Sequence, residues 1–104
     1  MTPPNSITFF SRFEADILAG KKTITLRDES ESYYRAGQRV SVSNLEDGRC
    51  YGELDILSVS KVAYDDLNES HAQQENMSLA ELKTLIRQIY PGIEALYLIH
   101  FKLA

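Results

Sequence analysis

One cysteine, Cys50, occurs in 104 residues, so no internal disulfide can form. A lone thiol suits a reducing compartment, and the cytoplasm is the expected location. No apolar run approaches the roughly 20 residues that a membrane-spanning helix needs. The N-terminus lacks a charged region followed by an apolar stretch, so no secretory signal is expected. Excess positive charge is also missing. Eleven Lys and Arg face 15 Asp and Glu, for a net charge of −4, which argues against a dedicated nucleic-acid coat. It leaves room for a nucleoside-sized ligand. The five glycines are scattered and form no phosphate-binding loop. Metal ligands are few. His71 and Glu75 would share one face of a helix, but no third ligand stands at a recognisable spacing, so no metal is expected.

Apolar residues make up 43% of the chain and are spread along its whole length, enough for one packed domain over residues 1–104. Met1 to Asn5 holds two prolines and reads as a loose lead-in. Ser6 to Phe10 is β-branched and aromatic, a first strand. Ser11-Arg12-Phe13-Glu14 has the form of a capping box opening a short helix, with Phe13 and Ile17 on its apolar face and Gly20 suited to end it. Asp28 to Gly37 lacks an apolar period and reads as a loop, of the length that often covers a site. Its Tyr33 and Tyr34 are candidates to stack on a flat ligand or to fold onto the core.

Gln38 to Leu45 alternates around Val40 and Val42, and Glu46-Asp47-Gly48 signals a hairpin. Cys50 to Val62 is one long extended segment. The adjacent Ile56-Leu57 breaks its alternation, so a bulge or bend is expected there. Tyr64 to Asn76 is polar and should hold short helical turns. Ser78-Leu79-Ala80-Glu81 is a second capping box, followed by Leu79, Leu82, Ile86 and Ile89 at helical spacing and a stop at Pro91-Gly92. Ala95 to Leu103 is a closing strand, with His100 as a core or edge histidine. The expected fold is α+β: a small, mostly antiparallel β-barrel with two or three short helices.

The stretch Gly20-Lys21-Lys22-Thr23-Ile24-Thr25-Leu26-Arg27 is a basic island in an acidic chain. Ile24 and Leu26 alternate with Thr23, Thr25 and Arg27, the pattern of a strand with one greasy and one polar face. It reads either as a solvated edge strand or as a grip on an anionic or carbonyl group. In the second reading Thr25 is a candidate nucleophile, and Lys22 is near enough in sequence to take its proton, a variant of triad logic. The lysine pKa would have to fall from about 10.4 to about 7–8, which costs the ammonium form roughly 4 kcal/mol. Burial and the neighbouring cations Lys21 and Arg27 push that way. Strict alternation puts Lys22 opposite Thr25, so their pairing requires Lys22 to lie in the turn before the pleat begins. Glu75 is a candidate acid if the fold brings it across.

Gly20-x-Lys22-x-x-Thr25-x-Arg27 resembles the G-x-K-x-x-E-x-R signature of the ASCH domain, a β-barrel related to the RNA-binding PUA fold. Thr25 stands where that signature has glutamate, which exchanges a carboxylate for a potential nucleophile. The stretches ITFFSRFEADILAGKKTITLRDESES, HAQQENMSLAELK and IYPG extend the resemblance, from about Ile7 to Phe101, to the small bacterial ASCH proteins that act as N4-acetylcytidine amidohydrolases. The resemblance implies deacetylation of N4-acetylcytidine to cytidine and acetate, without a cofactor. It selects Lys22 over Lys21 as the base, Thr25 as the nucleophile and Glu75 as the proton donor. Arg27 matches the signature arginine and, with Tyr33, Tyr34 and His71, is a candidate for substrate contact. Arg27 is alternatively paired with a nearby acid such as Asp28 or Glu29. The contrasting reading is a non-catalytic, PUA-like RNA-binding module.

Overall fold

A computed structural model of the chain describes residues 4–104. Of the lead-in expected over Met1–Asn5, the first three residues lie outside that range. Pro4 and Asn5 are tied down: the Gln38 side chain donates to the Pro4 carbonyl, and the Ser41 N–H donates to Asn5 O at 3.1 Å.

Five strands form one curved sheet: β1 (Ser6–Phe9), β2 (Ile24–Arg27), β3 (Arg39–Asn44), β4 (Cys50–Ala63) and β5 (Ala95–Leu103), in the order β1-β3-β4-β5-β2. Three of the four pairings are antiparallel and β1–β3 is parallel. The helices are α1 (Glu14–Leu18), α2 (Glu69–Gln74) and α3 (Leu79–Ile89). The α+β class and the short helices match the sequence reading. The barrel needs one refinement. Among the described residues no ladder joins the edge strands β1 and β2. Their margins meet through a side chain, since Arg27 Nη2 on β2 donates to Thr8 O on β1 at 2.7 Å.

The curvature has a visible source. The register of β4 against β5 slips between Ile56 and Ser58. Leu57 is the extra residue, turned outward and 41% exposed. A bulge adds local twist and bend, and β4 pairs with β3 over Cys50–Asp55 and with β5 over Leu54–Ala63. Ile7, Val40, Val42, Leu54, Ile56, Ile99 and Phe101 fill the sheet's inner face. A second cluster of Leu26, Leu67, Ala72, Leu82, Ile86 and Leu96 seats α2 and α3 on the other side.

The two expected capping boxes fared differently. Ser78 accepts from the Glu81 N–H at 3.1 Å while Glu81 accepts from the Ser78 N–H at 3.2 Å. At Ser11 no such box forms, because a 3-10 turn over Ser11–Phe13 precedes α1. Glu46, from the β3–β4 hairpin, takes both the Ser11 N–H and hydroxyl. Glu14 is occupied by Asn44 and Arg49 instead.

Candidate active site

The end of α1 sets the first catalytic candidate. Gly20 has φ +74°, and Asp16 O accepts from the N–H groups of both Lys21 (2.9 Å) and Lys22 (3.1 Å). This is a glycine-terminated helix end of the Schellman type. It turns the chain so that Lys22 precedes β2, which begins at Ile24. The requirement that Lys22 lie outside the pleat is met. One residue on, Thr23 N–H donates to Gln74 O at the end of α2, at 2.8 Å. Asn76, at φ 56°, reaches back from Nδ2 to Asp16 Oδ1 at 3.1 Å. The C-terminal ends of α1 and α2 are thus laced together, and Lys22 meets Glu75 from 53 positions away.

Lys22, Thr25 and Glu75 are 4%, 5% and 4% exposed and line one cavity of about 190 Å³. The polar face of β2 therefore points into the molecule, and the solvated-edge reading is excluded for Thr25. Lys22 Nζ contacts Glu75 Oε1 and donates to Ile24 O at 3.1 Å. The nitrogen lies 5.5 Å from the Phe9 ring centroid and 4.8 Å from that of Phe13. Burial pushes Lys22 down, against the upward pull of the Glu75 carboxylate. Burial likewise pushes Glu75 up, against the pull of the Lys22 ammonium. Both shifts run toward the uncharged forms, because water is not there to solvate the charges.

All three nitrogens of Arg27 are engaged. Nε donates to Thr25 Oγ1 at 2.8 Å, Nη1 to Glu31 Oε1 at 2.9 Å and Nη2 to Thr8 O at 2.7 Å. The acid paired with Arg27 is Glu31, rather than Asp28 or Glu29. Since Nε already donates to Thr25 Oγ1, the threonine's own proton is free to go elsewhere.

The remaining candidates are not brought to the cavity. Tyr34 is buried in the core, and its hydroxyl donates to Ser6 O at 2.7 Å. Tyr33 is 43% exposed and is not part of the cavity wall. His71 caps α2, with Nδ1 accepting from the Asn68 N–H at 3.1 Å. Sequence reasoning missed the apolar wall, where Phe10, Phe13 and Leu45 face Leu82, Leu85 and Ile86 of α3. It also missed Glu31 and Tyr90, which line the same cavity. The adjacent aromatics of SITFF and the capping-box helix were the available signals.

A curved sheet seamed by the signature arginine, with this lysine buried at the helix–strand junction, is the ASCH fold. The ASCH domain of Lactobacillus crispatus JV V101 aligns with it at a TM-score of 0.73 and 29% identity, over 86% of this chain and 68% of that one. No established family profile matches the chain. The N(4)-acetylcytidine amidohydrolase of Vibrio vulnificus (strain YJ016) is 63% identical over 102 residues, 98% of each chain. That of Haemophilus influenzae (strain PittEE) is 52% identical over 100 residues, 96% of each. The chain belongs to the N(4)-acetylcytidine amidohydrolase family, a family of hydrolases.

Proposed function

We propose that this chain hydrolyses N4-acetylcytidine to cytidine and acetate, with Thr25 as nucleophile, Lys22 as base and Glu75 as proton donor. The observation that carries the reading is the burial of all three side chains on one cavity, with Lys22 against Glu75. Neutral Lys22 takes the Thr25 hydroxyl proton as Oγ1 bonds to the acetyl carbon. The tetrahedral intermediate collapses by breaking the bond from that carbon to N4. Glu75 gives its proton to the departing nitrogen, and cytidine leaves. Lys22 then passes its proton to Glu75, which restores the neutral pair. Water attacks the acetyl-threonine and loses a proton to Lys22. Thr25 recovers that proton, and acetic acid departs and ionises to acetate in solvent.

The site's electrostatics support this cycle. Burial sets an acid and a base of opposite type side by side, each shifted toward the form its role needs. The Arg27 Nε–H on Thr25 Oγ1 stabilises the developing alkoxide, as a charge-assisted donor does. The apolar wall limits how well bulk water screens the reacting charges.

The test is hydrolysis of N4-acetylcytidine by the purified chain beside Thr25→Ala, Lys22→Ala and Glu75→Ala, with folding checked by circular dichroism. Wild-type turnover, lost by about 10³-fold or more in each folded variant, is expected. Turnover that survives Thr25→Ala would refute the threonine nucleophile while keeping the hydrolase.

A further inference from the structure

We propose that Glu31 and Tyr90 act as a positioning clamp on Arg27, and through it aim the Thr25 hydroxyl at its substrate. The inference rests on the reading of Thr25 as nucleophile and extends it to two residues that carry no role in the chemistry above. Glu31 ends the 3-10 turn Glu29–Glu31, in the loop that follows β2. Its two oxygens are divided between elements far apart in sequence. Oε1 accepts from Arg27 Nη1 at 2.9 Å, and Oε2 accepts from Tyr90 Oη at 3.1 Å. Tyr90 caps the C-terminus of α3. An unbroken line of hydrogen bonds therefore runs from the end of α3 through Tyr90, Glu31 and Arg27 Nε to Thr25 Oγ1.

The line has a mechanical purpose that its parts do not have singly. A threonine hydroxyl has more than one staggered setting. The Nε–H of Arg27 selects one of them by occupying an oxygen lone pair. A guanidinium held at one point can swing, whereas one held at Thr8 O and at Glu31 is fixed in plane, and so is the direction of Nε–H. Burial, with the Glu31 carboxylate beside it, pushes the Tyr90 hydroxyl up to about 12, so it remains a donor to Glu31 across the working range. The Glu31 side chain is 40% exposed in this pair, and an ion pair so open to water adds little to stability. Its consequence is geometric: small misplacements of an attacking group slow a reaction far more than they weaken binding.

The test uses the intact chain and three variants: Glu31→Ala, Glu31→Gln and Tyr90→Phe. Steady-state hydrolysis of N4-acetylcytidine gives kcat and KM. Nitrogen–proton correlation spectra give the solvent-exchange protection of the Arg27 Nε–H. In Glu31→Ala, kcat should fall by about tenfold or more, as for loss of a charge-assisted hydrogen bond, with KM within about twofold. Glu31→Gln keeps an oxygen that accepts from Arg27 and should recover most of the rate. Tyr90→Phe removes one oxygen atom, keeps the ring, and should fall between them. Protection of the Nε–H should drop in the same order.

Wild-type kcat in Glu31→Ala, or a raised KM at unchanged kcat, would overturn the proposal. The second result would make Glu31 a substrate contact. Should the wild type fail to hydrolyse any N4-acylated cytidine, the functional reading falls and the clamp is judged by exchange alone. Unchanged Nε–H protection in Glu31→Ala would then refute it, and lost protection would uphold the geometry.

Discussion

Replacing Lys22 by methionine keeps the length and the apolar stem of the side chain but removes the nitrogen that contacts Glu75. The carboxyl is then left buried alone. The cost has an upper bound, because the carboxyl can escape its charge by taking a proton. At pH 7 that escape spans about 2.7 units from an ordinary glutamate near 4.3, or about 3.7 kcal/mol. At pH 5 it spans about 0.7 units, or about 1 kcal/mol. Glu75→Gln strands Lys22 instead. Shedding its proton costs about 4.6 kcal/mol at pH 7 from an ordinary lysine near 10.4, and about 1.9 kcal/mol at pH 9.

The signs therefore oppose. In Lys22→Met the folded state holds a proton that the unfolded chain has lost, so stability falls as pH rises above about 4.3 toward the raised folded value of Glu75. In Glu75→Gln the folded state lacks a proton that the unfolded chain holds, so stability rises with pH between the lowered folded value of Lys22 and about 10.4. The wild-type pair holds one proton on either partner, as does the unfolded chain across neutral pH, so it contributes a flat profile. Urea unfolding at pH 5, 7 and 9 measures all three. With slopes of about 1–3 kcal/mol per M, each single variant should lose about 2 M of midpoint at pH 7. Lys22→Met combined with Glu75→Leu should recover most of it, since a buried pair exchanged whole for apolar groups is near neutral. Parallel pH trends in the two single variants, or unchanged midpoints in both, would refute the buried-pair argument.

Tyr34→Phe should lower stability by about 1 kcal/mol through loss of the hydrogen bond to Ser6 O, with kcat and KM for N4-acetylcytidine unchanged. Gly20→Ala meets no atom within 4 Å, so its cost is conformational, about 1 kcal/mol at a positive φ. A thermal melt reads that loss, and reduced kcat would show the slackened approach of Lys22. Turnover of the nucleoside should change less than about twofold between 50 and 200 mM salt, whereas binding through several phosphates would weaken by orders of magnitude.

Local chemistry was legible in the sequence wherever a short segment fixes its own geometry. Gly20 at the end of α1, the Ser78–Glu81 box and the bulge at Leu57 are of this kind. What stayed hidden depends on contacts between distant segments. Lys22 and Glu75 meet because Thr23 N–H finds Gln74 O, a pairing that no spacing announces. The Ser11–Glu14 motif had the right letters, but Glu46 across the hairpin competed for Ser11, and Asn44 and Arg49 claimed Glu14. Tyr33 and Tyr34 looked equivalent as neighbours. The chain's path sends Tyr34 inward to Ser6 and leaves Tyr33 outside, while Phe10 and Phe13, unremarkable as strand and helix residues, line the cavity. The family signature placed Arg27 in the site, yet its three-way bonding appears only when β1, β2 and the following loop converge.

That convergence has a consequence for how the molecule breathes. Where two strands pair along their length, parting them breaks a row of backbone bonds together. Among the described residues no ladder joins β1 to β2, and the guanidinium that bridges their margin also donates to the Thr25 hydroxyl. Parting the seam there costs a few kcal/mol rather than a strand's worth of bonds, and it moves the donor on Thr25 Oγ1 with it.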